Sequence, residues 1–287
     1  MKNQYVGDIG DYGKYALLRA LSANYSIGIN WYLTTSDNKP DGRFIDYLLK
    51  PNDCLDSELF NKLKSLLFSN TNEVKLDNRN VLQIEKNDFI PKAKFYNDEL
   101  EFSSKINRLL HRIDWVSRSF EKLLPSDIIF FDPDNGLEVK SVSSTSKNGN
   151  KYVTYDEAVR YYNHAKVAVV IYNHRDRSKD EDYCKRFLRF YKLEGTKDSF
   201  VYRLSFHKSS VRDYIFVVKP EFCITIHDFI MDFARKNKMY FTFSGLPMPL
   251  AKRWALDDAP VAYTREEYEK KQKEYKERLR KNYNKKS

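Results

Sequence analysis

Apolar and polar positions alternate along the chain in two rhythms. "GDYGKYALLRALSANY" brings Tyr15, Leu18 and Leu21 to one face, which predicts a helix near the start. "IGINWYLT" is a nearly unbroken apolar run and predicts the first strand. Helical spacing follows in "RFIDYLL" and "SELFNKLKSLLF", a second strand is predicted at "NVLQIEKND", and "SSKINRLLHRIDWVSRSFEKLL" reads as a basic helix. Beyond it come a strand "IIFF", a flexible polar loop "SSTSKNGNK", a helix "YDEAVRYYNHA", a strand "KVAVVIYNH" and a helix "DEDYCKRFLRFYKL". "FVYRLSFH" and "RDYIFVVKP" predict a closing antiparallel pair. Strands alternating with helices imply an α/β fold, with a single mostly parallel sheet, helices on both faces and a C-terminal basic helix. Residues 1–257 are expected to form one catalytic domain and 258–287 a basic helical tail.

Charge adds a partner class to this picture. The net charge is +10, and residues 263–287 hold ten Lys or Arg against five Glu, so the tail supplies half of the excess. It reads either as a solvated helix with pairs such as Glu266 and Lys270, or as an arm that gains affinity for DNA or RNA by releasing phosphate counterions. The 21 Tyr and 19 Phe include candidates for stacking on unpaired bases. Cys54, Cys184 and Cys223 are odd in number and far apart, which suits neither a disulfide framework nor a zinc site and points to a reducing cytoplasm. No apolar run approaches the roughly 20 residues of a membrane span, and the first residues lack the apolar stretch of a signal peptide.

The chemistry gathers where strands end. In a mostly parallel sheet, ligands bind beyond the carboxyl ends of the strands. Here "IIFF" runs into Asp132, Pro133, Asp134, Asn135 and Gly136; "VVIY" runs into Asn173 to Arg177; and "VYRLSF" runs into His207, Lys208, Ser209 and Ser210. Each has a plain structural alternative as a turn cap or a hydrogen-bonded loop residue.

Two resemblances follow from these motifs. "DPDNG" at 132–136, "VVIYN" ending at Asn173 and "FHKSS" at 206–210 resemble, in the same order, the motifs of the uracil-DNA glycosylase superfamily. That resemblance implies cofactor-free and metal-free hydrolysis of the N-glycosidic bond of a modified base, in repair or in defence against phages. Asp132, Asp134, Asn135 and His207 would be catalytic, and Asn173, Lys208 and Ser209 would bind substrate. Asp132 would stabilise an oxocarbenium-like transition state or orient a water, His207 and Lys208 would receive the departing base, and Asn173 would read a flipped base. Tyr12, Tyr15 and Tyr172 are candidates for stacking on it. The second resemblance, carried by "GDIGDYGKYALLRAL", "DPDN" and the closing strands, is to Rossmann-type adenine methyltransferases that act on ribosomal RNA. It implies S-adenosylmethionine and methyl transfer instead. A non-catalytic nucleic-acid-binding protein is the third possibility.

Three features stand outside those motifs. Asp132, Asp134, Glu138 and Lys140 superficially resemble a metal-dependent nuclease set, but residues crowded into one turn rarely converge on two ions. Gly7, Gly10 and Gly13 precede a helix and could expose backbone N–H groups to a phosphate with Lys14 as counter-charge; equally, Asp8 or Asp11 could cap that helix. Arg175 and Arg177 have the fork geometry that suits nucleic-acid phosphates, with surface pairing to Asp176 and Asp180 as the alternative.

Overall fold

The structure, a computed structural model, describes residues 1–36, 42–50, 55–102 and 107–243. Helix α1 (Ile9–Ser22) leads into β1 (Ile27–Asn30), followed by α2 (Ser57–Leu67), α3 (Val81–Lys86), β2 (Lys94–Tyr96), α4 (Arg108–Leu123) and β3 (Ile128–Phe131). Then come β4 (Gly136–Leu137), β5 (Tyr152–Val153), α5 (Tyr155–His164), β6 (Ala168–His174), α6 (Asp180–Leu188), β7 (Phe200–Phe206), β8 (Arg212–Val218), α7 (Cys223–Lys236) and β9 (Phe241–Phe243). The predicted basic tail lies outside the described residues.

Seven strands form one sheet in the order β2-β1-β3-β6-β8-β7-β9, and β4 and β5 make a separate parallel pair. Strands β2, β1, β3 and β6 run parallel. Strand β8 is antiparallel to both β6 and β7 although β7 precedes it in the chain. Every residue of β1, β3 and β8 is buried, as expected of strands covered on both faces. The α/β class, the mostly parallel sheet and the closing antiparallel pair are therefore as the pattern predicts.

Several elements differ from the sequence reading. "NVLQIEKND" is helical, not a strand. The Asn80 side chain accepts from the Leu82 amide at 2.9 Å, and Val81 and Ile84, three residues apart, are its buried positions. The edge strand is the shorter β2, whose "KFY" buries Tyr96 alone. "RFIDYLL" yields only a single 3-10 turn at Asp46–Leu49. The loop expected to be flexible at 143–151 is tied down: the Arg112 guanidinium of α4 donates to the carbonyls of Gly149 (2.9 Å) and Tyr152 (2.7 Å) while pairing with Glu157 of α5 at 2.6 Å. Helix α7 and strand β9 extend the fold past the predicted closing pair.

Candidate active site

The carboxyl ends of β3 and β6, the start of β8 and the first turns of α1 surround a cavity of about 750 Å³, within the roughly 300–1,000 Å³ typical of ligand sites. Its floor is ionic. Asp132, directly after β3, is 1% exposed, and its Oδ2 accepts from Lys14 Nζ at 2.6 Å. Lys14, equally buried on α1, also donates to Asp11 Oδ1 at 2.8 Å, and the Tyr15 hydroxyl donates to Asp11 Oδ2 at 3.0 Å. The Lys14 ammonium lies 4.7 Å from the ring centroid of Tyr172. Burial opposes the lysine charge, but Asp11 and Asp132 outweigh it and hold the group above the ordinary lysine range. At Asp132 burial pushes the carboxyl upward, against the pull of Lys14 and the Met1 ammonium.

The acidic turn is fixed from two sides. Asp134 lies 2.7 Å from the Met1 ammonium, which also donates to the carbonyl of Asp132 at 2.9 Å. Burial works against the Asp134 charge, but the ammonium prevails and holds the carboxyl below its usual range. Asn135 donates its main-chain amide to the Lys151 carbonyl at 3.0 Å and lines the cavity. Asn173 reaches the turn from behind: its Oδ1 accepts from Leu137 N at 2.9 Å, and its Nδ2 donates to the Tyr183 hydroxyl at 2.7 Å and to the His174 carbonyl at 3.0 Å. It is fully buried and clamps the turn to β6 without lining the cavity.

Of the residues singled out from the sequence, the cavity gathers Asp132, Asp134, Asn135, Lys14, Ser209 and Tyr172. His207 is exposed just past the end of β7, its ring hydrogen-bonded to Thr242 of β9, and Lys208 lies 4.9 Å over the Tyr240 ring. Tyr12 packs its ring 5.3 Å from Tyr47 and exchanges hydrogen bonds with the Asp56 backbone. Arg175 stacks 4.0 Å over Tyr183 and pairs with Asp180 at 2.6 Å, while Arg177 is exposed. None of these five lines the cavity. Glu138 accepts the first amide of α5, from Tyr155, at 2.8 Å, which separates it from the acidic turn. Among the described residues no group of three or more His, Cys, Asp or Glu is arranged to hold a metal ion.

The glycine-rich start serves packing. Asp8 caps α1 by accepting from Gly10 N at 2.9 Å, and the Ile9 amide donates to the Phe44 carbonyl at 3.0 Å, so these amides are already engaged. A Cβ on Gly10 would stand 2.5 Å from the Arg212 guanidinium carbon, and one on Gly13 would stand 2.4 Å from the Phe206 ring. Both glycines let a side chain lie flat on the helix. Beyond β1, where the methyltransferase resemblance calls for a cofactor, Trp31 and Tyr32 are fully buried and hydrogen-bonded to Glu85 (2.8 Å) and Glu157 (3.0 Å).

Sequence reasoning missed His174 and Arg212 as cavity residues. The available signal was positional: His174 ends a buried strand and Arg212 begins one, and the two are register partners across β6 and β8. Arg212 Nη1 donates to the carbonyls of Lys208 (3.2 Å) and Ser210 (3.0 Å), bracketing Ser209, whose φ of 66° lies in the left-handed region uncommon for a serine. Burial first, then Arg212, pushes the His174 imidazole down to about 4. Because the unfolded chain takes up that proton and the folded one does not, this residue's contribution to stability is full above an ordinary histidine pKa of about 6.5 and is lost as pH falls toward about 4. Thermal melts of His174→Gln against wild type are therefore expected to show a shallower decline across that window; parallel declines would contradict the assigned neutrality. Comparison with family models, with curated proteins and with solved structures finds no match for the chain.

Proposed function

We propose that the protein hydrolyses the N-glycosidic bond of a modified base in DNA. The observation that supports this reading is the Asp132 carboxylate, buried at the floor of a cavity large enough for one nucleotide and held in place by Lys14 at 2.6 Å. A fixed carboxylate there would stabilise positive charge developing on the sugar, and the low-dielectric surroundings strengthen the effect. Phe44, 63% exposed on the cavity lining, supplies an aromatic face of the kind on which a flipped base rests. Asn135 and Ser209 take over the base-reading role that the resemblance gave to Asn173, since both residues line the cavity and Asn173 does not.

DNA from phages with modified or glucosylated bases is the direct test. Abasic sites, seen as strand breaks only after alkali or an abasic endonuclease, are expected to form with a chelator present and with no added cofactor. Asp132→Asn is expected to lower the single-turnover rate by roughly 100-fold while leaving DNA binding intact. Direct strand breakage would favour a nuclease, and unaltered activity in the variant would remove Asp132 from the chemistry. The antiparallel β8 between β6 and β7 favours the methyltransferase alternative, because that resemblance also calls for the closing strands. Specific S-adenosylmethionine binding with intact DNA product would select it, despite the aromatic side chains filling the exit of β1.

A further inference from the structure

Each carboxylate of the cavity already binds at least one partner. Asp8 accepts amides from Gly10 and Phe44, Asp11 holds Lys14 and Tyr15, Asp132 holds Lys14, and Asp134 faces the Met1 ammonium. A hydrolysis at this site still needs a group that accepts a proton from the attacking water. His174 is placed for that task. Its main chain is pinned on both sides, by the Asn135 carbonyl to its amide at 3.3 Å and by Asn173 Nδ2 to its carbonyl at 3.0 Å. Its Nε2 is 3.5 Å from the Tyr172 hydroxyl, and the two rings meet edge to face at 5.3 Å. Nδ1 has no hydrogen-bond partner among the described residues, and the half-buried side chain lines the cavity.

We propose that His174 accepts the proton of the water that attacks the sugar, an inference that rests on the glycosidic reading. The water oxygen bonds to the anomeric carbon as the carbon–nitrogen bond breaks, and that electron pair leaves with the base. The water proton passes to His174 Nδ1 and from there to the departed base nitrogen, returning the imidazole to its neutral form. Asp132 keeps a separate part, because its Oδ2 is bound by the Lys14 ammonium and its charge faces the sugar. The charged groups around the imidazole are Arg212 on β8, Lys14 on α1, the Met1 ammonium and Asp134. Three of the four are cationic, so they resist a resting positive charge on the ring and release the proton after each turnover.

The test uses the full chain and the modified phage DNA described above. His174→Ala and His174→Gln are each expected to lose about 100-fold or more in single-turnover rate with DNA affinity preserved, the range for a proton-transferring side chain. Added imidazole is expected to restore activity to His174→Ala and not to Asp132→Asn, a result that a merely structural histidine would not give. Nitrogen-15 spectra of the wild type are expected to show a neutral His174 ring at pH 6.5. A protonated ring at that pH, a His174→Gln variant of wild-type rate, or an alanine variant that imidazole fails to rescue would each overturn the proton-acceptor role while abasic sites in the wild-type reaction keep the glycosidic reading. A wild type that makes no abasic sites removes both.

Discussion

Lys14→Met is expected to lower the unfolding free energy by about 3–5 kcal/mol at pH 7, because it leaves two carboxylates in the interior without their cation. Asp11 and Asp132 are 4% and 1% exposed, and both hold the Lys14 ammonium within 2.8 Å. At roughly 2–4 °C per kcal/mol for a chain of this size, the melting temperature should fall by about 10 °C or more. The pH dependence has a defined sign. Without the lysine, burial favours the protonated form of Asp132, so its folded-state pKa rises further above that of the unfolded chain, and the penalty present at pH 7 shrinks as pH falls toward 5. Calorimetry at both pH values checks this, with Lys14→Met/Asp132→Asn expected to recover part of the loss. A single variant within about 1 kcal/mol of wild type would show that the pair is solvated rather than buried.

Gly136→Ala is the second large effect. Gly136 has φ +112°, and a Cβ there would stand 2.1 Å from Asn173 Oδ1 and 2.8 Å from the Asn173 Cα. The side chain could swing away only by giving up its bond to Leu137 N, and the Cα belongs to a central strand. Backbone strain and overpacking together are expected to cost roughly 2–5 kcal/mol. Gly195→Ala makes the control. It shares a positive φ of 89°, but its nearest neighbours are side-chain atoms at 3.0 Å or beyond, so it should lose less and leave the cavity's ligand affinity unchanged. Equal losses in the two variants would mean that the contact with Asn173 carries no weight.

The strands that build the site were legible because each is a short apolar run closed by polar residues: β3 before Asp132, β6 closing on its own Asn173 and His174, and β7 before His207. The helical nature of 81–86 was hidden because six residues hold too few turns for their period to stand out against an alternating pattern. The cavity was legible only on its acidic side. "DPDNG" announces itself in sequence, whereas the partnership of Lys14 with Asp132 spans 118 positions and depends on how α1 meets the end of β3. Asn173 drew attention for the right strand end, yet the direction of its side chain, toward the turn and Tyr183, follows from packing that no local pattern encodes. His207 illustrates the converse: strand β7 does end there, but β9 pairs with β7 beyond the predicted elements and carries Thr242 to its ring.

The contact between Arg212 and Asp8 joins positions 204 apart at 3.4 Å, across a glycine that admits the guanidinium. Strand β8, which carries Arg212, fills the gap between two strands made before it. During synthesis from the first residue onward, β6 and β7 therefore wait with unpaired facing edges until β8 has emerged, a state open to mispairing. The cavity lacks one wall for the same interval. Among the described residues that line the cavity, Arg212 is thus the last to be synthesised, well after Lys14 and Asp132.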